Sequence, residues 1–105
     1  MNVRFEYLYR DSGNFKNWGE VVFSNPRGVP ANIVGAMAEQ VLIDRTFFSA
    51  AKADVPDLHF ADHNEDLDHG WHETHAFLPT DEPSNDVRNR NIEEFVESLR
   101  CASIV

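Results

Sequence analysis

The chain of 105 residues has one cysteine, five glycines and five prolines, and nine lysines and arginines stand against eighteen aspartates and glutamates. Each scarcity excludes something. A lone Cys101 cannot close an intramolecular disulfide, and no charged stretch followed by an apolar one opens the chain, which together predict a reducing, cytoplasmic setting. No run of about 18 apolar residues occurs, so no membrane-spanning helix is expected. The formal net charge of −9 and the lack of a basic stripe argue against direct contact with nucleic-acid phosphates. Phosphate-cradling glycine loops, the Gly-x-Ser-x-Gly elbow and the dinucleotide fingerprint are all missing, which leaves no enzyme signature to follow.

Apolar residues make up 42% of the sequence, and eight Phe, two Trp and two Tyr are among them. That is enough to bury a core at this length, since rings carry large areas out of water at about 25 cal/mol per Å². One domain spanning 1–105 is expected.

Strict alternation over Asn2–Arg10, with Val3, Phe5, Tyr7 and Tyr9 on one parity, predicts a half-buried strand. Asp11-Ser12-Gly13-Asn14 supplies turn formers, and Trp18–Phe23 reads as a second strand returning beside the first. Phe15 and Trp18 near this turn are expected to fold back onto the core, the alternative being an exposed binding edge at the loop tip. Pro30 suits the first turn of a helix, and Ile33, Val34, Met37, Val41 and Leu42 recur at steps that place them on one packing face. Residues 45–53 fit either a continuation of that helix or a separate short one. Trp71–Leu78 alternates again, with Trp71, Glu73, His75 and Phe77 opposite His72, Thr74, Ala76 and Leu78, and predicts a third strand. Asn91-Ile92-Glu93-Glu94 has the pattern of a capping box, and Ile92, Phe95, Val96 and Leu99 give the helix that follows a buried face. Cys101, in its last turn, reads as a small packing residue. The fold class predicted is α+β, in the order β-β-α-β-α: a small antiparallel sheet, made of the N-terminal hairpin plus a third strand, with two or three helices packed mainly on one face.

Charge is unevenly spread. Between Lys52 and Arg88 no Lys or Arg occurs, while ten carboxylates and all five histidines fall there. Residues 57–75 alone hold five imidazoles and six carboxylates. Two functions follow from this composition. The first is a non-enzymatic acidic interaction or inhibitor protein that docks on a basic partner surface, such as that of a nucleic-acid-binding protein, through Asp57, Asp62, Glu65, Asp66, Asp68, Trp71 and Glu73. The second is a divalent-metal-binding protein, or a small metal-dependent enzyme, whose site is drawn from His59, His63, Asp68, His69 and His72, with Asp66 and Glu73 as further oxygen donors, since imidazole and carboxylate are the groups such ions take. His72-Glu73-Thr74-His75 is one residue too short for the helical His-Glu-x-x-His protease site. Asp62, Asn64, Asp66, Asp68, Gly70 and Glu73 fall at EF-hand loop positions, but Leu67 replaces the glycine that makes the sharp turn. A solvated acidic loop whose histidines bond neighbouring carboxylates accounts for the same composition without a ligand.

Three stretches, Phe5–Glu20 (FEYLYRDSGNFKNWGE), Pro56–Phe60 (PDLHF) and Leu67–Glu73 (LDHGWHE), resemble segments of a group of small bacterial proteins. The resemblance spans most of residues 3–75 and implies a bacterial or mobile-element origin. It brings no activity, cofactor or catalytic residue with it.

Overall fold

A computed structural model describes residues 1–60 and 70–103. The alternating segment forms β1 (Asn2–Arg10), and β2 (Lys16–Phe23) returns beside it in register, Val3 opposite Phe23 and Leu8 opposite Trp18. Asn14 takes up a left-handed backbone at the turn, and the Asp11 carboxylate accepts the Phe15 N–H, so the loop closes on its own side chains. The chain then forms α1 (Ala31–Glu39), the two-residue strand β3 (Phe47–Phe48), one turn of helix α2 (Ala50–Ala53), β4 (His72–Thr80) and α3 (Ile92–Ala102). All strand pairings are antiparallel, in the order β2-β1-β4-β3. The α+β class is as predicted.

One face of the sheet carries the core. Val3, Phe5, Tyr7, Val21 and Phe23 meet Val34, Ala38, Ile92, Phe95 and Leu99 from the helices, with Phe23 stacked on Phe95 at 4.1 Å between centroids. Asn91 caps α3 as its sequence predicts: its side chain accepts the Glu94 N–H at 2.8 Å and Glu94 accepts the Asn91 N–H at 3.0 Å.

Four local expectations are corrected. The buried face of α1 is Val34 and Ala38, continued by Leu42, while Ile33 and Met37 lie on the exposed side. Small residues make the difference: Gly35 and Ala38 let the helix approach β4, where Phe77 lies under Gly35. Phe47 and Phe48 form a strand on the far edge of β4, because Asp44 and Arg45 both adopt left-handed backbone and turn the chain back. Phe15 and Trp18 do not fold onto the core; they are 70% and 53% exposed. Trp18 belongs to the parity of β2 that faces away from the helices, where no further layer covers it among the described residues. Cys101 is exposed on α3, beside rather than within the seam of Leu99 and Ala102.

The third strand is not a simple alternation. Phe77 pairs with Phe5 and Ala76 with Glu6, but Thr74 pairs with Tyr7 and Glu73 with Leu8, so His75 is an extra residue at a β-bulge. The bulge exchanges the two parities. Phe77 and His72, placed on opposite faces by strict alternation, both end on the core side.

On the helix side of the sheet, Arg90 anchors the polar 81–91 connection. Its guanidinium bonds both Asp86 oxygens at 2.9 Å, donates to the Ala53 and Asp54 carbonyls at 2.7 and 3.1 Å, and lies over the Phe23 and Phe95 rings. Burial alone pushes the Asp86 carboxyl up, but the Arg90 guanidinium and backbone N–H groups outweigh it and hold the carboxyl below its ordinary range.

Candidate metal centre

The exit from α2 is tied down residue by residue. Arg90 holds Ala53 and Asp54, and the Tyr7 hydroxyl then donates to the Pro56 carbonyl at 2.7 Å. Asn17 of β2 donates to the Leu58 carbonyl at 3.0 Å. Leu58 packs directly on Gly19: a Cβ there would stand 3.0 Å from both Leu58 methyl carbons, so the glycine is what lets this segment approach the sheet. The Leu58 N–H donates to His72 Nε2 at 2.9 Å. The loop is therefore fastened to β1 at Pro56 and to β2 and β4 at Leu58.

That fastening gathers three donors. Asp57 accepts the backbone N–H of His59 at 2.8 Å in a tight turn, which brings the His59 ring back so that Nδ1 lies 2.8 Å from Asp57 Oδ1. His72, 1% exposed at the first residue of β4, places Nε2 3.6 Å from the same oxygen. One donor atom from each of Asp57, His59 and His72 lies within 4.8 Å of the others. The Tyr9 ring walls the cluster, edge-on to His59 at 4.5 Å and 5.3 Å from His72. Desolvation raises the Asp57 carboxyl, but the His59 backbone N–H, then the His59 ring and His72, lower it further, so the net shift is downward and the carboxylate is the favoured form. Burial first, and Asp57 second, push the Tyr7 hydroxyl well above its ordinary value, so it stays a donor. The Leu58 N–H donates to His72 Nε2, so an ion taken at that nitrogen has to displace it.

Tetrahedral coordination at about 2.0–2.1 Å places ligand atoms about 3.3 Å apart. The spacings of 2.8 and 3.6 Å to Asp57 Oδ1 lie on either side of that value, and the three donors as a set are within 4.8 Å of one another, so they have to move to close on an ion. Two imidazoles and a carboxylate suit a borderline ion such as Zn²⁺ better than Ca²⁺, which takes oxygen donors throughout.

Of the residues singled out from sequence, the structure thus brings together His59, His72 and Asp57, the last expected as a docking carboxylate. Asp62, His63, Glu65, Asp66, Asp68 and His69 lie outside the described residues. Glu73 points to the other face of the sheet, 16% exposed, and pairs with Arg10 at 2.9 Å; Trp71 is partly buried just ahead of β4. His75, at the bulge, stacks edge-on with Trp18 at 4.9 Å. Tyr9 was not singled out for the site, and its only sequence signal was its place in the alternating strand. Among the described residues no helix is long and apolar enough to cross a membrane. Comparison with protein-family models, curated proteins and solved structures finds no match to this chain.

Proposed function

We propose that this chain is a divalent-metal-binding protein that takes a zinc-class ion through Asp57, His59 and His72. The convergence of these three donors within 4.8 Å carries the reading. Composition alone produces acidic loops rich in histidine, but it does not bury one imidazole at a strand end and turn a second imidazole and a carboxylate toward it. An ion at His72 Nε2 displaces the Leu58 N–H, so binding reorganises the 57–59 turn and part of the gross affinity is spent on that step.

The test is titration of EDTA-treated, desalted protein with Zn²⁺, Ni²⁺, Mn²⁺ and Ca²⁺, followed by calorimetry and thermal melting. One equivalent of Zn²⁺ should bind with a saturable rise in melting temperature. Asp57→Asn and His59→Ala, both at partly or largely exposed positions, should weaken binding at least about tenfold. Unchanged affinity in both variants would place any ion elsewhere and sink the proposal. The absence of cations between Lys52 and Arg88 supports a second reading, docking of the 57–73 carboxylates on a basic protein surface. Its signature would be partner binding that weakens steeply with salt and is indifferent to EDTA.

A further inference from the structure

We propose that the outer edge of β2 is an interface between two copies of this chain, pairing β2 antiparallel with itself about a two-fold axis at Trp18. The direction of the backbone groups comes first. Val22 donates its N–H to the Asn85 side chain at 2.8 Å and accepts the Asn85 N–H at 3.0 Å, and the Ser24 carbonyl accepts the Ile92 N–H at 2.8 Å. The even-numbered residues therefore aim their peptide groups away from β1. By the two-residue period of a strand, Lys16, Trp18 and Glu20 do the same, and β1 is the only strand beside β2 among the described residues. Asn85 and Asn91 cover the upper half of this edge; the lower half, Lys16–Glu20, presents a ladder that another strand can continue.

The side chains then select a second copy as the occupant. In an antiparallel register centred on Trp18, Lys16 of each copy stands opposite Glu20 of the other, twice by symmetry, with Trp18 facing Trp18. Charges on an edge strand ordinarily repel another copy, whereas this arrangement is self-complementary. Within its own chain Lys16 stands opposite Arg10, a like charge whose carboxylate partner is Glu73, so Lys16 gains from a new anion. A pocket of about 300 Å³ lined by Glu6, Trp18, Gly19 and Glu20 opens beside the edge; both carboxylates already pair with Arg4, at 3.1 and 3.3 Å, so a partner's Lys16 would join that cluster beside the indole. Trp18 and Phe15, both exposed, supply apolar area at the centre and the end of the contact. With about five residues paired per copy the contact is small, so the association is micromolar or weaker.

Sedimentation equilibrium in EDTA, from about 10 µM to about 1 mM, tests this independently of any metal. A concentration-dependent dimer is expected. Lys16→Glu and Glu20→Lys should each weaken it at least about tenfold by setting like charges opposite each other twice, and the double swap should restore it. Circular dichroism checks that each variant is folded. As a second measurement, Trp18→Cys in a Cys101→Ser background should oxidise to a disulfide-linked dimer, because hydrogen-bonded antiparallel partners have Cα atoms about 5.5 Å apart. A monomer at every concentration overturns the proposal, as does a dimer indifferent to the single swaps or not restored by the double one.

Discussion

Replacing Asp86 with Ala should be among the most damaging single changes in this chain. The Asp86 side chain is 2% exposed and that of Arg90 6%, so the substitution leaves a guanidinium out of water. Arg90 keeps its bonds to the Ala53 and Asp54 carbonyls but loses two side-chain bonds to carboxylate oxygens and the backbone N–H bond to Asp86 Oδ2. Breaking one partner of a buried pair costs about 3–5 kcal/mol. At this chain length each kcal/mol is worth roughly 4–8 °C, so a fall of at least about 12 °C in Tm is expected. Asp86→Leu with Arg90→Met, which removes both charges, should recover much of the loss, giving a large coupling energy in the cycle. The pH dependence follows from the depressed Asp86 carboxyl. Its contribution is complete above the unfolded carboxylate value of about 3.9 and is lost as pH falls through the lower folded value. Wild type and Asp86→Ala should therefore differ most at neutral pH and converge only in strong acid. Urea melts at several pH values read this directly; a loss under about 1 kcal/mol at pH 7, or a difference that persists unchanged into strong acid, would refute the reasoning.

Other outcomes follow from single contacts. Gly19→Ala drives a methyl against Leu58, so it should lower Zn²⁺ affinity through the displaced 57–59 turn and cost about 1–3 kcal/mol of stability by overpacking, read by calorimetry and urea melts. Tyr7→Phe removes the bond to the Pro56 carbonyl and should cost about 1 kcal/mol in the same melts. Asn91→Ala deletes one half of the capping box at the start of α3 and should cost roughly 1 kcal/mol. Cys101 should react fully with a thiol reagent in native buffer, at close to the rate seen in denaturant; protection would contradict its exposed position.

Much of the architecture was legible in the residues. Alternation over Asn2–Arg10 and the Asn91–Glu94 capping pattern are local signals whose periods and caps act within a few residues, and both elements stand where they were expected. The face of α1 was less legible, because periodicity ranks Ile33 and Met37 with Val34, whereas the helix approaches along its smallest side chains. β3 was missed for a related reason: two phenylalanines flanked by left-handed Asp44 and Arg45 become a strand only because β4 offers an edge to pair with.

By itself the sequence determined the composition of the candidate site: imidazoles and carboxylates crowded into 57–75 with no cation among them. Which of them meet was decided by tertiary structure. His72 reaches the core side because a bulge at His75 exchanges the parities of β4, and Asp57 and His59 reach His72 because Tyr7, Asn17 and the gap over Gly19 hold the 56–60 segment against the sheet. A bulge is set by the register of two strands distant in sequence, and a close approach by what lies on the far side of it, so neither is written in the spacing of the residues concerned.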